Sequence, residues 1–442
     1  MQAASNLCAE VLRLGSDEAP AKVAPETVGL RTRSAERLME ELAARSASIA
    51  QALSADVYDP ARRNLVRFLA AASTDEERIA GTLRNASSVE RALPVLAQSA
   101  MATDILARHP EDICSLFASE DVECADADHL RIAARRAVLH CLGRSLLEKQ
   151  TIWEIYAVHS RAFDSILQQA FTLAEAPPNL AVFALGRLGT CELDVVSDAD
   201  LVFVRGPEGD AECAERAAHA MVSMLAGYTR EGSVIAVDTR LRPRGREGEL
   251  VVSTRQLAQY FEAEASAWEA LAYAKLRRVA GSEVLDTEVS GAVQSLRRRY
   301  AATDEFASQL RRVRRRLEES GPEDSFKNGI GGLYDVDYIL GMLEARGARQ
   351  TAGRQIPQRL AELAGHRLLL PGHESELLRA AELFRGVDHA IRVAEGRSRR
   401  RLPESDELLA TVERLSGHAN LRQLLWESMS HLRSIFELYF RD

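Results

Sequence analysis

The spacing of apolar positions along the chain changes twice. Over residues 30–175 apolar side chains recur at helical intervals, as at Leu38, Leu42 and Ile49, and this predicts a run of helices. The residues Ala-Pro-Pro at 176–178 then end the helical pattern and indicate a boundary.

Short strand patterns follow this boundary. Four apolar runs bounded by Gly, Asp and Pro predict strands at residues 181–185, 201–204, 233–237 and 250–253. A helix is predicted over 211–230, between the second and third runs. After Gln256 the helical period returns and continues to the end, with one interruption at 324–335.

These patterns predict an α+β fold that is predominantly helical, with one small mixed sheet. The sheet lies between an N-terminal and a C-terminal helical domain. The predicted domain bounds are 1–175, 176–285 and 286–442.

Composition narrows the class of protein. Of 442 residues, 46% are hydrophobic and 27% are charged, which is typical of a globular chain. The net charge of −9 argues against general nucleic-acid binding. No run of about eighteen apolar residues predicts a membrane span, and no signal peptide is visible. Six scattered cysteines without a CxxC pair are typical of buried thiols in a reducing cytoplasm.

Two aspartates precede the second predicted strand. Asp198 and Asp200 are two positions apart, so an extended backbone directs both carboxylates to one side. Neighbouring carboxylates repel each other, and a divalent cation removes that conflict. Asp238 follows the third predicted strand, and we expect neighbouring antiparallel strands to bring it beside the first pair. Three converging carboxylates suit one or two Mg²⁺ ions that act on a phosphate.

Basic and glycine residues flank these acids. The basic residues are Arg240, Arg242, Arg244 and Arg246. Guanidinium groups bind phosphate oxygens bidentately and keep their charge. Gly186 and Gly189 follow the first predicted strand, where glycine lets backbone amides approach an anion. Ser197 is placed to bind a phosphate or to orient the carboxylate beside it, so the group predicts a nucleoside triphosphate site.

Each of these features has an ordinary structural alternative. Two acids at a strand edge occur by chance, an arginine run is typical of a solvated hairpin, and two glycines after a strand commonly form a simple turn. Their combination within one short stretch indicates a functional site.

A second group of glycines and acids interrupts the C-terminal helical pattern. Gly329, Gly331 and Gly332 precede Asp335 and Asp337 at the start of a predicted helix. Glycine amides could receive an anion there while the acids close over a ribose or a metal. The alternative is a glycine hinge with surface acids that cap the helix.

Two arginine-rich segments and two tryptophans have simpler interpretations. Residues 311–319 and 396–403 are predicted to be solvated helix faces, with acidic partners as the lesser alternative. Trp153 and Trp426 lie in apolar helical patterns and are predicted to belong to the core.

The motifs as a set resemble those of one family. GRLGTCELDVVSDADLVF resembles the G-K-L-G-G-x-E-L-x-x-x-S-D-x-D-L-x-F signature of glutamine synthetase adenylyltransferases, a branch of the polymerase-β-like nucleotidyltransferases. VDTRLRPRGREGELVVS is similar to the family's V-D-x-R-L-R-P-x-G-x-x-G-x-L-V-x-S. The segment from Tyr260 to Arg277, which contains Lys275, and the segment FKNGIGGLYDVDYI resemble two further motifs in the same order.

The resemblance implies an enzyme that controls glutamine synthetase. Family members carry two halves; one transfers AMP from ATP to a tyrosine of glutamine synthetase, and the other removes it with phosphate to give ADP. This chain has S-D-x-D once, so it is expected to perform one of the two reactions, and Lys275 favours removal. Asp198, Asp200 and Asp238 are the implied Mg²⁺ ligands and catalytic acids. Lys275, Asp335, Asp337 and the residues flanking the acids are implied in nucleotide binding, with a PII-type signalling protein as an implied regulator.

Four departures from the family pattern affect the expected contacts. They are Arg187, Thr190, Ile330 and Tyr334. The metal acids are retained, whereas the phosphate and nucleotide contacts are open to change. Two alternatives therefore remain: a nucleotidyltransferase with another protein acceptor, and a catalytically impaired module that binds or regulates.

Overall fold

The structure, a computed structural model, describes residues 25–56, 59–118, 123–208, 210–322, 324–349 and 351–441. The chain divides into two compact units. The first takes in the described residues of 1–120, 135–150 and 392–397, and the second takes in those of 121–134, 151–391 and 398–442. The second unit contains both the sheet and the C-terminal helices, so the three-domain division of the sequence stays a prediction.

The first unit is helical. Its N-terminal elements are α1 (Pro25–Arg45), α2 (Ala47–Ser54), α3 (Pro60–Ala72), α4 (Glu76–Arg84), α5 (Ala86–Gln98), α6 (Ala100–Arg108) and a 3-10 helix at Pro110–Leu116. Asp75 and Ser99 cap α4 and α6 by accepting hydrogen bonds from first-turn amides. Leu38, Leu42 and Ile49 are fully buried, so the helical spacing identified core positions correctly.

Two long helices lead to the sheet, and α/β structure follows. The helices are α7 (Ala127–Leu147) and α8 (Ile152–Leu173). The next elements are β1 (Leu180–Ala184), α9 (Gly186–Gly189), β2 (Ala199–Arg205), α10 (Ala211–Ala226), β3 (Val237–Asp238), a 3-10 helix at Gly245–Glu247, β4 (Val251–Ser253), α11 (Thr254–Ala263), α12 (Ala267–Ala274) and β5 (Arg277–Gly281).

The rest of the second unit is helical. Its elements are α13 (Glu283–Ala301), α14 (Phe306–Glu319), α15 (Leu333–Arg346), α16 (Ile356–Gly365), α17 (His373–Glu395), α18 (Asp406–Ser416) and α19 (Leu421–Tyr439), except that residues 392–395 of α17 belong to the first unit. The predicted interruption at 324–335 is confirmed, because α15 begins only at Leu333. The fold is α+β and predominantly helical, as the sequence predicts. Among the described residues no helix is both long and apolar enough to cross a lipid bilayer.

The sheet is mixed, and β2 has neighbours on both sides. Its strand order is β3-β2-β1-β5, with β4 also paired to β2. β1 runs antiparallel to β2 and to β5. β3 pairs with the start of β2 and β4 with its end, both in parallel. Every residue of β1 is buried, and the side chains of Phe183, Val202 and Val204 pack into one core with α11 and α13.

The sequence prediction was wrong about the third strand. Only Val237 and Asp238 form a strand, because the amides of Val234 and Ile235 both donate to the carbonyl of Leu225 at the end of α10. The expected antiparallel pairing with β2 is also wrong. The connection between β2 and β3 contains a helix, and a helical crossover joins parallel strands. The edge strand β5 was missed because its residues continue a helical pattern.

Candidate active site

The start of β2 brings two of the predicted acids together. Asp200 and Asp238 are paired in register across the parallel strands β2 and β3, and the amide of Ala199 donates to the carbonyl of Ala236 at 2.8 Å. Partners in register on neighbouring strands place their side chains on the same face of a sheet. Parallel pairing therefore achieves the juxtaposition that the sequence analysis had expected from antiparallel strands.

Asp198 completes a negatively charged edge. It lies directly before β2 and is exposed, whereas Asp200 is partly buried. Burial raises the pKa of Asp200 to about 6, and the negative charges of Asp238 and Asp198 add to this rise. Lys275 and Arg240 act in the opposite direction. Asp198 and Asp238 therefore both lie close enough to Asp200 to affect its charge. Ser197 lies in the same turn, where its amide donates to the carbonyl of Asp194.

Gly186 is required by this edge. Its φ is +56°, and a Cβ atom added there would lie 2.1 Å from Oδ2 of Asp200. The amide of Leu185 donates to the carbonyl of Asp200 at 2.9 Å, so the backbone of the β1 turn cannot move away without breaking the sheet. The glycine thus allows the carboxylate of Asp200 to contact the backbone of this turn.

We expect Gly186→Ala to lower the free energy of unfolding by about 1–3 kcal/mol, since alanine is strained at this φ and collides with Asp200. The collision would also displace the carboxylate of Asp200, and we expect this displacement to reduce activity. Urea denaturation measures the first effect. Gly291→Ala is the matched control, because no atom lies near its added methyl group inside α13, and alanine there stabilises a helix. Equal stability of the two variants would contradict the close approach at Gly186.

Arg240 is the arginine nearest the acids. Its Nε lies 2.8 Å from Oδ2 and 2.9 Å from Oδ1 of Asp238, while its Nη2 also contacts that carboxylate. These hydrogen bonds lower the pKa of Asp238. The side chain of Arg240 is largely exposed, so it is available to a phosphate that binds at Asp198, Asp200 and Asp238. These three acids at the start of β2 and the end of β3 are called the acid edge below.

Arg242 builds the following loop. Its Nη1 donates to the carbonyl and hydroxyl oxygens of Thr239 at 2.9 and 2.8 Å, and its Nε donates to the carbonyl of Gly248 at 3.1 Å. The hydroxyl of Tyr273 donates to the carbonyl of Leu241 at 2.6 Å and ties the loop to α12. With its donors on the loop's own oxygens, Arg242 supports the position of Arg240. Its predicted phosphate contact stays a prediction.

Gly189 and Lys275 are adjacent. A Cβ on Gly189 would lie 2.2 Å from the carbonyl oxygen of Lys275, so this glycine permits close packing of α9 on the short segment between α12 and β5. The ammonium of Lys275 lies 3.1 Å from Oδ1 of Asp337, and its charge opposes the rise in the pKa of Asp200. Lys275 therefore lies between the acid edge and the start of α15.

The two acids of the second group point in different directions. Asp335 and Asp337 are two residues apart on α15, which places their side chains about 200° apart around the helix axis. Asp337 faces Lys275, with Arg359 Nη1 at 3.9 Å. Asp335 is fully buried on the opposite side, where Arg314 Nε donates at 2.7 Å. Of the pair, only Asp337 is near the acid edge.

Asp335 organises the loop at residues 329–332, called the glycine loop below. Its Oδ2 accepts the amide of Gly331 at 3.1 Å, while Arg314 donates to the carbonyls of Asn328 and Gly329 at 2.9 and 2.6 Å. The prediction that 311–319 is a solvated helix face is therefore wrong for Arg314, which is 1% exposed. The local spacing of residues 311–319 could not show that Arg314 pairs with Asp335, because Asp335 lies on the next helix. The predicted nucleotide contact of Asp335 stays a prediction.

A buried polar cluster holds the turn between β1 and β2, and the sequence analysis gave it no role. Arg187 donates from Nε to the carbonyl of Glu192 at 2.8 Å and from Nη1 to Asp388 at 3.0 Å. Glu192 accepts from Arg385 at 2.6 Å, and Asp194 contacts His389 Nδ1 at 2.6 Å. Glu192 and Asp194 lie within the quoted signature, which was the available signal. The departure at Arg187 thus serves this cluster.

Two of the other departures from the family pattern, Thr190 and Ile330, differ in their exposure to solvent. Thr190 is buried, and its hydroxyl lies 3.4 Å from the carbonyl of Gly186. Ile330 is exposed on the glycine loop.

Trp426 is 69% exposed, so its prediction as a core residue is wrong, whereas Trp153 is buried as predicted. Of the described cysteines none forms a disulfide and Cys114 is exposed; Cys8 lies outside the described residues.

The acid edge fits a divalent cation by its donor chemistry. In the described ranges no three His, Cys, Asp or Glu side chains converge as a ready-made metal site. Asp200 and Asp238 are nevertheless neighbours, and Mg²⁺ takes one or two carboxylates with waters and phosphate oxygens as its other ligands. The raised pKa of Asp200 marks a position where added positive charge is favourable. The assignment of Asp198, Asp200 and Asp238 as metal ligands stays a prediction.

Comparison with known proteins gives two family matches, one in the middle of the chain and one in its C-terminal part. A family model described as glutamate-ammonia ligase adenylyltransferase matches residues 116–292, which include the acid edge. A model described as GlnD PII-uridylyltransferase matches residues 304–439.

Individual relatives agree with the first of these matches. A protein of Streptomyces coelicolor named bifunctional glutamine synthetase adenylyltransferase/adenylyl-removing enzyme is 31% identical over 404 residues, 82% of this chain and 40% of the relative. A protein of the same name from Pseudomonas putida is 26% identical over 349 residues, 72% of this chain and 36% of the relative. The chain spans less than half the length of these relatives.

Proposed function

Because the chain belongs to the glutamate-ammonia ligase adenylyltransferase family, we propose that it is a Mg²⁺-dependent nucleotidyltransferase acting on a tyrosine of glutamine synthetase. It either transfers AMP from ATP to that tyrosine or removes the AMP with phosphate. The observation that carries the proposal is the acid edge, where Asp200 and Asp238 stand in register beside Arg240 and against Gly186. The presence of Lys275 favours removal.

The residues of the acid edge are proposed to have different roles in binding the metal and the phosphate. Asp198, Asp200 and Asp238 would hold Mg²⁺, which when bound neutralises phosphate charge. Arg240 can exchange its contact with Asp238 for a contact with a phosphate group, because a carboxylate and a phosphate each offer two oxygens to a guanidinium. Catalysis then depends on positioning and on charge neutralisation, and no covalent enzyme intermediate is needed.

Both reactions exchange one P–O bond for another at the phosphorus of the AMP group, and the bond from that phosphorus to the tyrosine oxygen takes part in each. In transfer, the tyrosine oxygen forms a bond to the α-phosphorus of ATP while the bond to the β-phosphate oxygen breaks, releasing pyrophosphate. In removal, an oxygen of inorganic phosphate forms the new bond to that phosphorus, and the bond to the tyrosine oxygen breaks, giving ADP.

Asp337 is proposed to position Lys275 toward the phosphates. The positive charges of Lys275, Arg385 and Arg359 outweigh the effect of burial and lower the pKa of Asp337 to about 2. A carboxylate with a lowered folded pKa stabilises the protein above its unfolded pKa, and that contribution is lost as pH falls through the folded value.

We therefore expect Asp337→Asn to lower the free energy of unfolding at pH 7 by about 2 kcal/mol, and about half of this difference to vanish by pH 3. Urea denaturation of both proteins at several pH values measures it. Turnover of the variant is expected to fall by about tenfold, with rescue by Asp337→Glu. A stability difference that stays constant from pH 7 to pH 3 would contradict the ion pair.

The direct test of function is a pair of assays. One incubates the chain with ATP labelled at the α-phosphate and unmodified glutamine synthetase; the other uses adenylylated glutamine synthetase with phosphate. Each is run with and without Mg²⁺. Label on glutamine synthetase establishes transfer, and ADP release establishes removal. If neither assay gives a product while the chain still binds nucleotide, the proposed activity is wrong and the chain is a binding or regulatory module.

A second candidate is uridylyl transfer to a PII-type protein, favoured by the match over residues 304–439. That match lies after the acid edge and does not include Asp198, Asp200 or Asp238. It therefore fits a role of the C-terminal helices in contacting a PII-type regulator better than a different nucleotide at the edge. UTP with a PII protein in the same assay distinguishes the two candidates.

A further inference from the structure

A cleft of about 850 Å³ lies among the C-terminal helices of the second unit, lined by residues of α19, the glycine loop and the segment before α18. Its lining includes five arginines and two acids, although the whole chain carries a net charge of −9. The arginines are Arg399, Arg400, Arg401, Arg422 and Arg433. The cleft is therefore a local basic surface on an acidic protein.

The floor of this cleft is apolar and includes Trp426. On α19 the lining residues run from Arg422 through Trp426 and Met429 to Arg433, one continuous stripe along about 16 Å of helix. Trp426 is 69% exposed, and Ile330, which lines the same cleft from the glycine loop, is 52% exposed. Large apolar side chains grouped on a surface mark interaction sites, and tryptophan is among the residues that dominate binding energy.

The wall that carries Ile330 is fixed in place. A Cβ on Gly331 would lie 1.9 Å from the carbonyl oxygen of Met429, so the glycine loop packs directly on α19. Asp335 holds the same loop from below through the amide of Gly331. Ile330 and Trp426 are thus presented by a supported backbone, which reduces the conformational entropy lost on binding.

We propose that this cleft binds an acidic peptide segment of a partner protein, with an apolar side chain inserted between Trp426 and Ile330. The charges of Arg400 and Arg401 lie at the rim, where Arg401 is 46% exposed and its contact with Asp324, at 3.3 Å, is a surface pair that a ligand carboxylate can replace. The elongated floor suits a peptide of several residues. The proposal is independent of the reaction at the acid edge.

A peptide is favoured over nucleic acid by the charge of the protein. A polyanion is bound mainly through phosphate contacts, and the net charge of −9 opposes a long polyanion beyond the cleft. Several of these arginines are also engaged within the protein, among them Arg401 with Asp324, Arg422 with the carbonyl of Pro403 and Arg433 with Glu318. A short acidic segment with an apolar anchor matches both the floor and the rim.

The test uses a fluorescein-labelled helical peptide with glutamates on one face and leucines on the other, and fluorescence anisotropy with the full chain. The matched probe carries glutamine in place of glutamate. We expect the acidic peptide to bind at least about tenfold more tightly than the glutamine peptide, with weaker binding at high salt. Trp426→Ala and the double variant Arg400→Glu, Arg401→Glu are each expected to weaken binding by about tenfold or more.

The control is Arg230→Glu, since that side chain is 95% exposed on a turn outside the cleft lining. It should bind the peptide as the unaltered chain does, and all variants should keep the same thermal midpoint. Three results overturn the proposal: no binding of the acidic peptide up to about 1 mM, binding unaffected by the cleft variants, or tighter binding of a single-stranded oligonucleotide that the same variants abolish.

Discussion

Asp200→Asn is expected to reduce nucleotidyl transfer or removal by about three orders of magnitude while the protein remains folded. Asp200 stands in register with Asp238, and burial raises its pKa. An amide keeps the shape of the side chain but removes the negative charge that a divalent cation requires. The reaction would therefore lose its main means of neutralising phosphate charge.

The same substitution is not expected to destabilise the metal-free protein, because it removes one of three neighbouring negative charges. The two assays described above measure the activity, and thermal unfolding in the presence of a chelator measures the stability. Asp210→Asn is the matched control, since Asp210 caps α10 and asparagine caps a helix equally well. A variant at position 200 that retains turnover would exclude this carboxylate from catalysis.

Arg314→Met is expected to lower the free energy of unfolding by about 3–5 kcal/mol. The substitution leaves the buried carboxylate of Asp335 without its principal partner, and it leaves the carbonyls of Asn328 and Gly329 without their donors. An unpaired charge in the interior is among the most destabilising changes in a protein. Chemical denaturation at pH 7 measures the loss.

Arg315→Met is the control for this experiment, because Arg315 lies on the same helix and is exposed. Its expected change is within about 0.5 kcal/mol. Adding Asp335→Leu to Arg314→Met should recover part of the loss, since both charges are then removed. Equal stability of the two arginine variants would contradict the structural role of the pair.

Much of the fold could be predicted because it follows from local periodicity. The spacing of Leu38, Leu42 and Ile49 identified buried positions, and the apolar runs identified β1 and β2. The third strand was predicted too long because apolar residues also pack against the end of a helix, as Val234 and Ile235 do. Apolar character gives burial, whereas the hydrogen-bond partner decides whether a segment is a strand.

The candidate site could be predicted in part for the same reason. Asp200 and Asp238 each adjoin an apolar run, so their meeting at the edge of one sheet was foreseeable. The partners of Asp335 were not foreseeable, because they come from α14 and from the glycine loop. Contacts between distant elements leave no signal in local spacing.

Trp426 shows the limit of periodicity most clearly. It occupies an apolar position in a helical pattern, yet its face of α19 lines the basic cleft. The neighbouring arginines at 399–401 come from another segment, and only the folded chain places them beside the tryptophan. A hydrophobic residue at a core-like position can therefore belong to a binding surface.

Binding of Mn²⁺ in the presence of ATP, followed by electron paramagnetic resonance, tests the acid edge most directly, since Mn²⁺ takes the same oxygen ligands as Mg²⁺. We expect the unaltered chain and the Asp210→Asn variant to bind one or two ions with ATP. We expect the variants Asp198→Asn, Asp200→Asn and Asp238→Asn to lose this binding. Unchanged Mn²⁺ binding by all three variants would show that the nucleotide's metal is held elsewhere.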